Sequence, residues 1–207
     1  MALTVLLLYL AGLVLAFGVR TLLAWKHTGD TGFRRPDTTL SNPAWWGSAL
    51  FAAALLLGLA APLAAMTGLL PAPRALLHPV TAASGIAAMT AGLVLVLASQ
   101  KAMGASWRVG VEEGEHTDLV TGGVFAWVRN PVFTGMGVLL VGMAAAVPTV
   151  LSLATLTAFT AAVQIQVRAV EEPHLLRTHG GAYAAYAART GRFLPFLGRL
   201  EDDRTGT

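Results

Sequence analysis

Cysteine is absent from the 207 residues, which excludes disulfides and thiolate metal sites. Charge is scarce. Asp, Glu, Lys and Arg make up 12% of the chain, against about 25% in an ordinary soluble domain. The five histidines, His27, His78, His116, His174 and His179, form no close pair such as H-x-x-x-H, so no metal centre is expected from them. Nucleic-acid signatures are missing. The net charge is only +3, and the basic residues lie beside apolar segments, which favours a membrane surface as partner. Internal repeats and low-complexity linkers are also missing, so 1–207 reads as a single membrane domain. The opening "MALTVLLLYLAGLVLAFGV" lacks a basic leader and a clean small-residue cleavage site. It is expected to be a retained membrane helix.

What is present is mostly apolar: 55% of the residues are hydrophobic and the mean hydropathy is +0.64. A spanning helix needs about 20 such residues. Five segments come close, at about 2–24, 45–68, 79–99, 131–147 and 149–169, with Pro62 expected to kink the second. The fourth would be roughly 26 Å long, just enough to span. Only "VPT" separates it from the fifth, which predicts a tight antiparallel hairpin. The expected fold is all-α, a polytopic membrane bundle of about five transmembrane helices. Three helices occupy 1–99, and a core with the hairpin and a helical tail occupies 100–197.

Basic residues cluster at Arg20, Lys26, Arg34 and Arg35, at Lys101, Arg108 and Arg129, and from Arg168 through Arg204, whereas the alternate connections carry only Arg74. The positive-inside rule then puts the N-terminus outside and the tail in the cytoplasm. The abundance of Ala, Gly, Leu and Arg suggests a GC-rich bacterial genome, hence a bacterial inner membrane. In the tail, a helix is expected from about 173 to 179, a break at Gly180-Gly181, a second helix to about 189, and a stop at Gly191 and Pro195.

Two charged stretches interrupt the apolar pattern. In "FAWVRNPVFTG", Asn130 suits a helix N-cap and Pro131 the first helical position. A helix start with Arg129 beside it also suits a carboxylate or phosphate. Gly135 and Gly137 fit helix packing or room for a ligand. "RAVEEP" ends the fifth span, and Arg168 is spaced to reach Glu171 or Glu172 on one helix face. The hairpin should bring Arg129, Asn130, Arg168, Glu171 and Glu172 together at one membrane edge. Trp107 and Arg108 fit an interfacial anchor or a cap over the site.

The stretch "LVTGGVFAWVRNPVFTG" resembles the pattern L-V-T-x-G-x-Y-x-x-x-R-H-P-x-Y-x-G of the isoprenylcysteine carboxyl methyltransferase family and its phospholipid methyltransferase relatives. The tail "EEPHLLRTHGGAYAAYAARTGRFLP" is similar to that family's E-E-x-x-L…G-x-x-Y-x-x-Y…P ending, and "MGASWRVG" to the segment before the core motif. The resemblance covers about residues 100–197 and implies an integral membrane methyltransferase using S-adenosylmethionine. Arg129, Arg168 and Glu172 are the expected catalytic residues: either arginine would orient a carboxylate acceptor, and a glutamate would take the proton of an amine acceptor. By the family pattern the resemblance maps the cofactor site onto Gly123, Phe125, Arg129, Asn130, Glu171 and Glu172, and His116, Leu119, Val120, Pro131, Gly135, Tyr183 and Tyr186 are expected to contact the cofactor as well. Asn130 stands where the pattern has His, Phe125 and Phe133 stand where it has Tyr, and His116 is one position off the usual polar residue. Glutamates suit the cofactor's hydroxyls and cationic groups, an arginine its carboxylate, and aromatic faces its adenine and sulfonium.

The expected acceptor is lipophilic and enters from the bilayer, with methylation at a carboxylate oxygen. Two other readings remain open on the residues. One is an NADPH-dependent reductase of the sterol-reductase type, which would need a further basic cluster. The other is a non-enzymatic membrane accessory protein that retains the fold.

Overall fold

The computed structural model describes residues 1–31, 39–70, 72–104 and 118–200. His116, Trp107, Arg108, Arg34, Arg35 and Arg204 lie outside them. Among the described residues the architecture is helical, and no strand belongs to a sheet. The elements are α1 (Ala2–Leu13), α2 (Arg20–Thr28), α3 (Pro43–Met66), α4 (Pro79–Met103), α5 (Pro131–Ala146), α6 (Val150–Ile165), α7 (Glu172–His179) and α8 (Gly181–Arg189). A π-helical turn, Val14–Val19, joins α1 to α2 in one rod, and another, Gln166–Glu171, joins α6 to α7. Among the described residues, four continuous helical stretches are long and apolar enough to cross a membrane: Ala2–His27, Pro43–Met66, Pro79–Met103 and Val150–His179. The fifth expected span, α5, has 16 residues, about 24 Å.

Three helices start in the same way, with Pro at the first position after Asn42, His78 or Asn130. Proline loses nothing there, because that N–H has no partner in the helix anyway. Asn42 accepts from the Ala44 N–H at 3.0 Å and His78 from the Val80 N–H at 3.2 Å. Asn130 occupies the cap position without capping: its side-chain amide donates to the Arg192 carbonyl at 3.1 Å instead. The helix start is as expected, but the tail has claimed the side chain. Helix α3 runs on through Pro62. The tail helices end at Gly180, where φ is +51, and at Thr190 just before Gly191.

The hairpin turn at Val147–Thr149 is closed by hydrogen bonds, with the Thr149 hydroxyl accepting from the Ser152 N–H at 3.2 Å and the Ser152 hydroxyl donating to the Val147 carbonyl at 2.6 Å. Each arm of the hairpin nevertheless packs chiefly on an earlier helix, α5 on α4 and α6 on α3. Glycines make the first pairing possible. A Cβ at Gly92 would lie 2.5 Å from the Gly135 carbonyl oxygen, and one at Gly85 would lie 2.5 Å from that of Gly142. In lipid, no hydrophobic effect draws helices together, so this close backbone approach gathers the dispersion contacts that do. Gly135 therefore serves helix packing. The space a ligand would need beside it is filled by α4.

Near the other end of α4, the Gln100 amide donates to the Ala16 carbonyl at 2.9 Å, inside the π turn of the first rod. A π turn leaves the regular i→i−4 ladder, and a buried side-chain donor meets the carbonyl there.

The glycine contacts separate two substitutions that look alike. Gly92→Ala should destabilise the protein by about 1–3 kcal/mol through overpacking against backbone. Gly137→Ala, whose Cβ would meet only the Phe159 ring at 3.7 Å, should be neutral or stabilising by up to about 1 kcal/mol from helix propensity. Thermal unfolding of both variants in detergent checks the contrast.

Candidate active site at the start of α5

Three distant pieces of chain meet where α5 begins. The tail runs beside the segment before α5 in a short parallel pairing of Val128 with Gly191. The Arg129 N–H donates to the Gly191 carbonyl at 2.8 Å, and the Asn130 N–H to the Arg192 carbonyl at 3.1 Å. One turn into the helix, the Thr134 hydroxyl donates to the Phe193 carbonyl at 2.8 Å. Gly191 is required at the crossing, because a Cβ there would lie 2.8 Å from the Phe196 nitrogen.

The side chains close the join. Arg129 is buried, with 2% of its side chain exposed. One terminal nitrogen donates to the Ala187 carbonyl at 2.9 Å and the Thr190 carbonyl at 2.5 Å. The other donates to Glu172 Oε1 at 2.5 Å and the Gly198 carbonyl at 3.1 Å. Arg192 reaches the same carboxylate with two donors, Nε to Oε1 at 2.7 Å and a terminal nitrogen to Oε2 at 2.9 Å. This fork-to-fork geometry is the strongest that an arginine and a carboxylate form, and it holds the Arg192 guanidinium protonated above its ordinary range against the opposing effect of desolvation. Two guanidiniums against one carboxylate leave the cluster with one positive charge. Arg129 Nε, also buried, has no hydrogen-bond partner.

Of the residues expected to converge, Arg129, Asn130 and Glu172 do. Glu171 points elsewhere, where its Oε1 accepts from the Gln166 amide at 3.4 Å. The five-residue spacing of that pair is the repeat of the π turn. Arg168 stays outside the cluster. It is exposed, and its side chain makes no hydrogen bond or ion pair among the described residues. The π turn gives Glu171 to Gln166, and Arg129 and Arg192 take both oxygens of Glu172.

Tyr183 and Tyr186 are buried in a small core of their own with Ala187, against Leu119, Leu175 and Leu200. Their rings meet edge to face with centroids 6.2 Å apart, and the Tyr186 hydroxyl donates to the Phe125 carbonyl at 2.7 Å. Burial pushes both phenols up to about 12, with Arg129 acting the other way. Tyr186 thereby staples the tail to the Gly123–Ala126 turn, with Phe125 itself buried. Val120 is half-buried, Pro131 is fully buried, and Gly123 is exposed at φ +60 with open space where a Cβ would point. The residue that sequence reasoning missed is Arg192. Its signal was weak, one arginine among several in the tail.

Removing the central carboxylate should show what it holds. Glu172→Ala leaves the buried Arg129 and the half-buried Arg192 without their counter-ion and should cost about 3–5 kcal/mol. The tail should then become a trypsin substrate after Arg189 and Arg192, whereas wild type resists cleavage there. Limited proteolysis followed by intact-mass measurement reads this directly.

Residues 80–182 match the sequence profile of the phospholipid methyltransferase family. No curated protein matches the chain in sequence. Among solved structures, the chain is similar to the eukaryotic intramembrane Ras methyltransferase, isoprenylcysteine carboxyl methyltransferase. The TM-score is 0.53 at 20% sequence identity, over 77% of this chain and 53% of that one. The chain thus spans about half the length of that enzyme, and at this identity the likeness is one of fold.

Proposed function

We propose, from the match of residues 80–182 to the phospholipid methyltransferase family and the apolar helices long enough to cross a membrane, that the protein transfers a methyl group from S-adenosylmethionine to a carboxylate oxygen of a lipophilic acceptor held in the bilayer. The observation that carries the reading is the buried Arg129–Glu172–Arg192 cluster at the start of α5, with its surplus positive charge and the orphaned Nε of Arg129. The surrounding residues fit such a cofactor. An unpartnered buried donor beside a helix N-terminus suits a carboxylate. Glu171 keeps acceptor capacity beyond its one bond to Gln166, which suits an ammonium or ribose hydroxyls. The open surface at Gly122 and Gly123 gives room for a bulky group.

In this reading Arg129 and Asn130 lie at the cofactor side, and Glu172 and Arg192 hold Arg129 in place. The cofactor would supply an electrophilic methyl on a sulfonium. The protein's part is positioning, since methyl transfer is an in-line displacement. A carboxylate acceptor arrives ionised and needs no general base. The cluster's surplus charge would draw that acceptor to the membrane edge and orient it. The tail faces the cytoplasm, as the distribution of basic residues indicates, so the cofactor enters from water and the acceptor from the bilayer.

A second reading differs only in the acceptor. The matched family is described as phospholipid methyltransferase, and a phospholipid amine would need a proton acceptor. Glu171, with its single long hydrogen bond, is the group placed to serve.

Purified protein should bind radiolabelled S-adenosylmethionine, and Glu171→Ala, which leaves the ion cluster intact, should weaken binding by about tenfold, the scale of one charge-assisted hydrogen bond. Equal binding by wild type and Glu171→Ala would remove that residue from the site, and no binding by wild type would remove the cofactor. Mass spectrometry of membrane lipids with and without the active protein identifies the acceptor. A carboxylic lipid gaining the mass of one methylene supports the first reading, and an amine lipid supports the second.

A further inference from the structure

The same end of the molecule exposes a patch that the proposed activity does not use. Trp127, Leu194, Phe196 and Leu197 are 68%, 54%, 71% and 62% exposed. Trp127 and Phe196 line one surface cleft together with Ala126, Arg189 and Pro195. The turn that carries three of them is well built. The Leu197 N–H donates to the Leu194 carbonyl at 3.2 Å, and the Arg192 N–H to the Leu197 carbonyl at 2.7 Å. Phe196 has a φ of +69, a conformation rarely adopted by a bulky L-residue. Such conformations persist where the surroundings over-determine them and recur at functional positions. Here the result is an aromatic ring held outward, with the Arg199 guanidinium 5.0 Å from its centroid. From 173 to 200 the chain has four arginines and no acidic residue, and Arg189 and Arg199 are exposed.

The depth of this patch follows from α5. With 16 residues it is about 24 Å long, shorter than the roughly 30 Å hydrocarbon layer, and its Gly135 packs at Gly92 and Val96 of α4, a candidate span that continues to Met103. The first turn of α5 therefore lies at or inside the hydrocarbon boundary, not out in water. Thr134, in that turn, is bonded to Phe193, and Asn130 to Arg192. The Leu194–Leu197 turn is thus tied to the level of the boundary, and Trp127 precedes Pro131 by one short loop. Tryptophan, aliphatic groups and arginines at that depth have the composition of an interfacial anchor.

We propose that Trp127 and the Leu194–Leu197 turn insert into the headgroup layer and that Arg189 and Arg199 bind the phosphates of anionic lipids. The tail that carries Arg192 is then pinned between the bundle and the bilayer.

The absence of cysteine makes the test direct. Leu194→Cys, Phe196→Cys and Leu197→Cys, each in the full chain and each carrying a nitroxide, are placed in vesicles of phosphatidylcholine with or without phosphatidylglycerol. Leu56→Cys, exposed on α3, gives a reference within the bilayer. Collisions with oxygen, which concentrates in the bilayer, are compared with collisions with a water-soluble nickel chelate. Oxygen accessibility should exceed nickel accessibility at all three positions, by less than at Leu56. Phosphatidylglycerol should lower nickel accessibility further, and Arg189→Gln with Arg199→Gln should abolish that lipid dependence. Nickel accessibility exceeding oxygen accessibility would place the turn in water and overturn the proposal. Low accessibility to both reagents would mean that protein, such as a second copy of the chain, covers it, and would overturn it equally. Identical depth in both lipid mixtures would refute the phosphate contacts.

Discussion

One carboxylate holds this end of the protein together. Glu172 sits at the junction between the last span and the tail and faces two guanidiniums, one from the start of α5 and one from the tail. A buried charge left alone is costly, and a buried pair repays its desolvation only when its remaining donors and acceptors are also satisfied. Here three tail carbonyls, those of Ala187, Thr190 and Gly198, take up the other donors of the two terminal nitrogens of Arg129. The cluster is therefore not a pair added to a finished fold. It exists only when 129, 172 and 187–198 are in register, and the backbone bonds of Arg129 and Asn130 to Gly191 and Arg192 exist only then as well.

The membrane-spanning part supports the cluster by a different device. Association of α4 with α5 relies on glycines that let backbones approach, 85 with 142 and 92 with 135. Dispersion over a close crossing replaces the hydrophobic drive that is missing in lipid. The crossing fixes the position of α5, and with it that of Arg129. The tail then closes over that arginine, so that two guanidiniums and a carboxylate are held together beneath it.

Much of this could be read from the sequence, for identifiable reasons. Long apolar runs, prolines after Asn42, His78 and Asn130, and the breaks at Gly180 and Gly191 are local signals, and local physics decides them. The family resemblance located the two blocks that meet, and residues 129 and 172 do touch. What remained hidden depends on partners far apart in sequence. Gly135 was compatible with packing or with a ligand, and only Gly92 across the crossing decides between them. Asn130 was suited to capping its own helix, but a carbonyl from residue 192 competes for its amide. Arg168 had the right spacing for a regular helix, but the chain widens into a π turn at Gln166–Glu171 and the pairing changes to Gln166 with Glu171. Arg192 lay in a tail with several arginines, and nothing local marks it as the one that returns to Glu172.

The saturation of the cluster constrains any chemistry at this site. Both oxygens of Glu172 and both terminal nitrogens of Arg129 are already engaged. A ligand that took over one of those bonds would have to release tail carbonyls or Arg192, and would weaken the scaffold that positions it. Recognition that leaves the scaffold intact must use what is still free: the Nε of Arg129, the surplus positive charge, the carboxylate of Glu171 and the open surface at Gly122 and Gly123. The division is a sensible one for an enzyme at a membrane edge. The strong, water-excluding ion contacts keep the geometry, and the groups beside them that the scaffold leaves unbonded remain for a ligand.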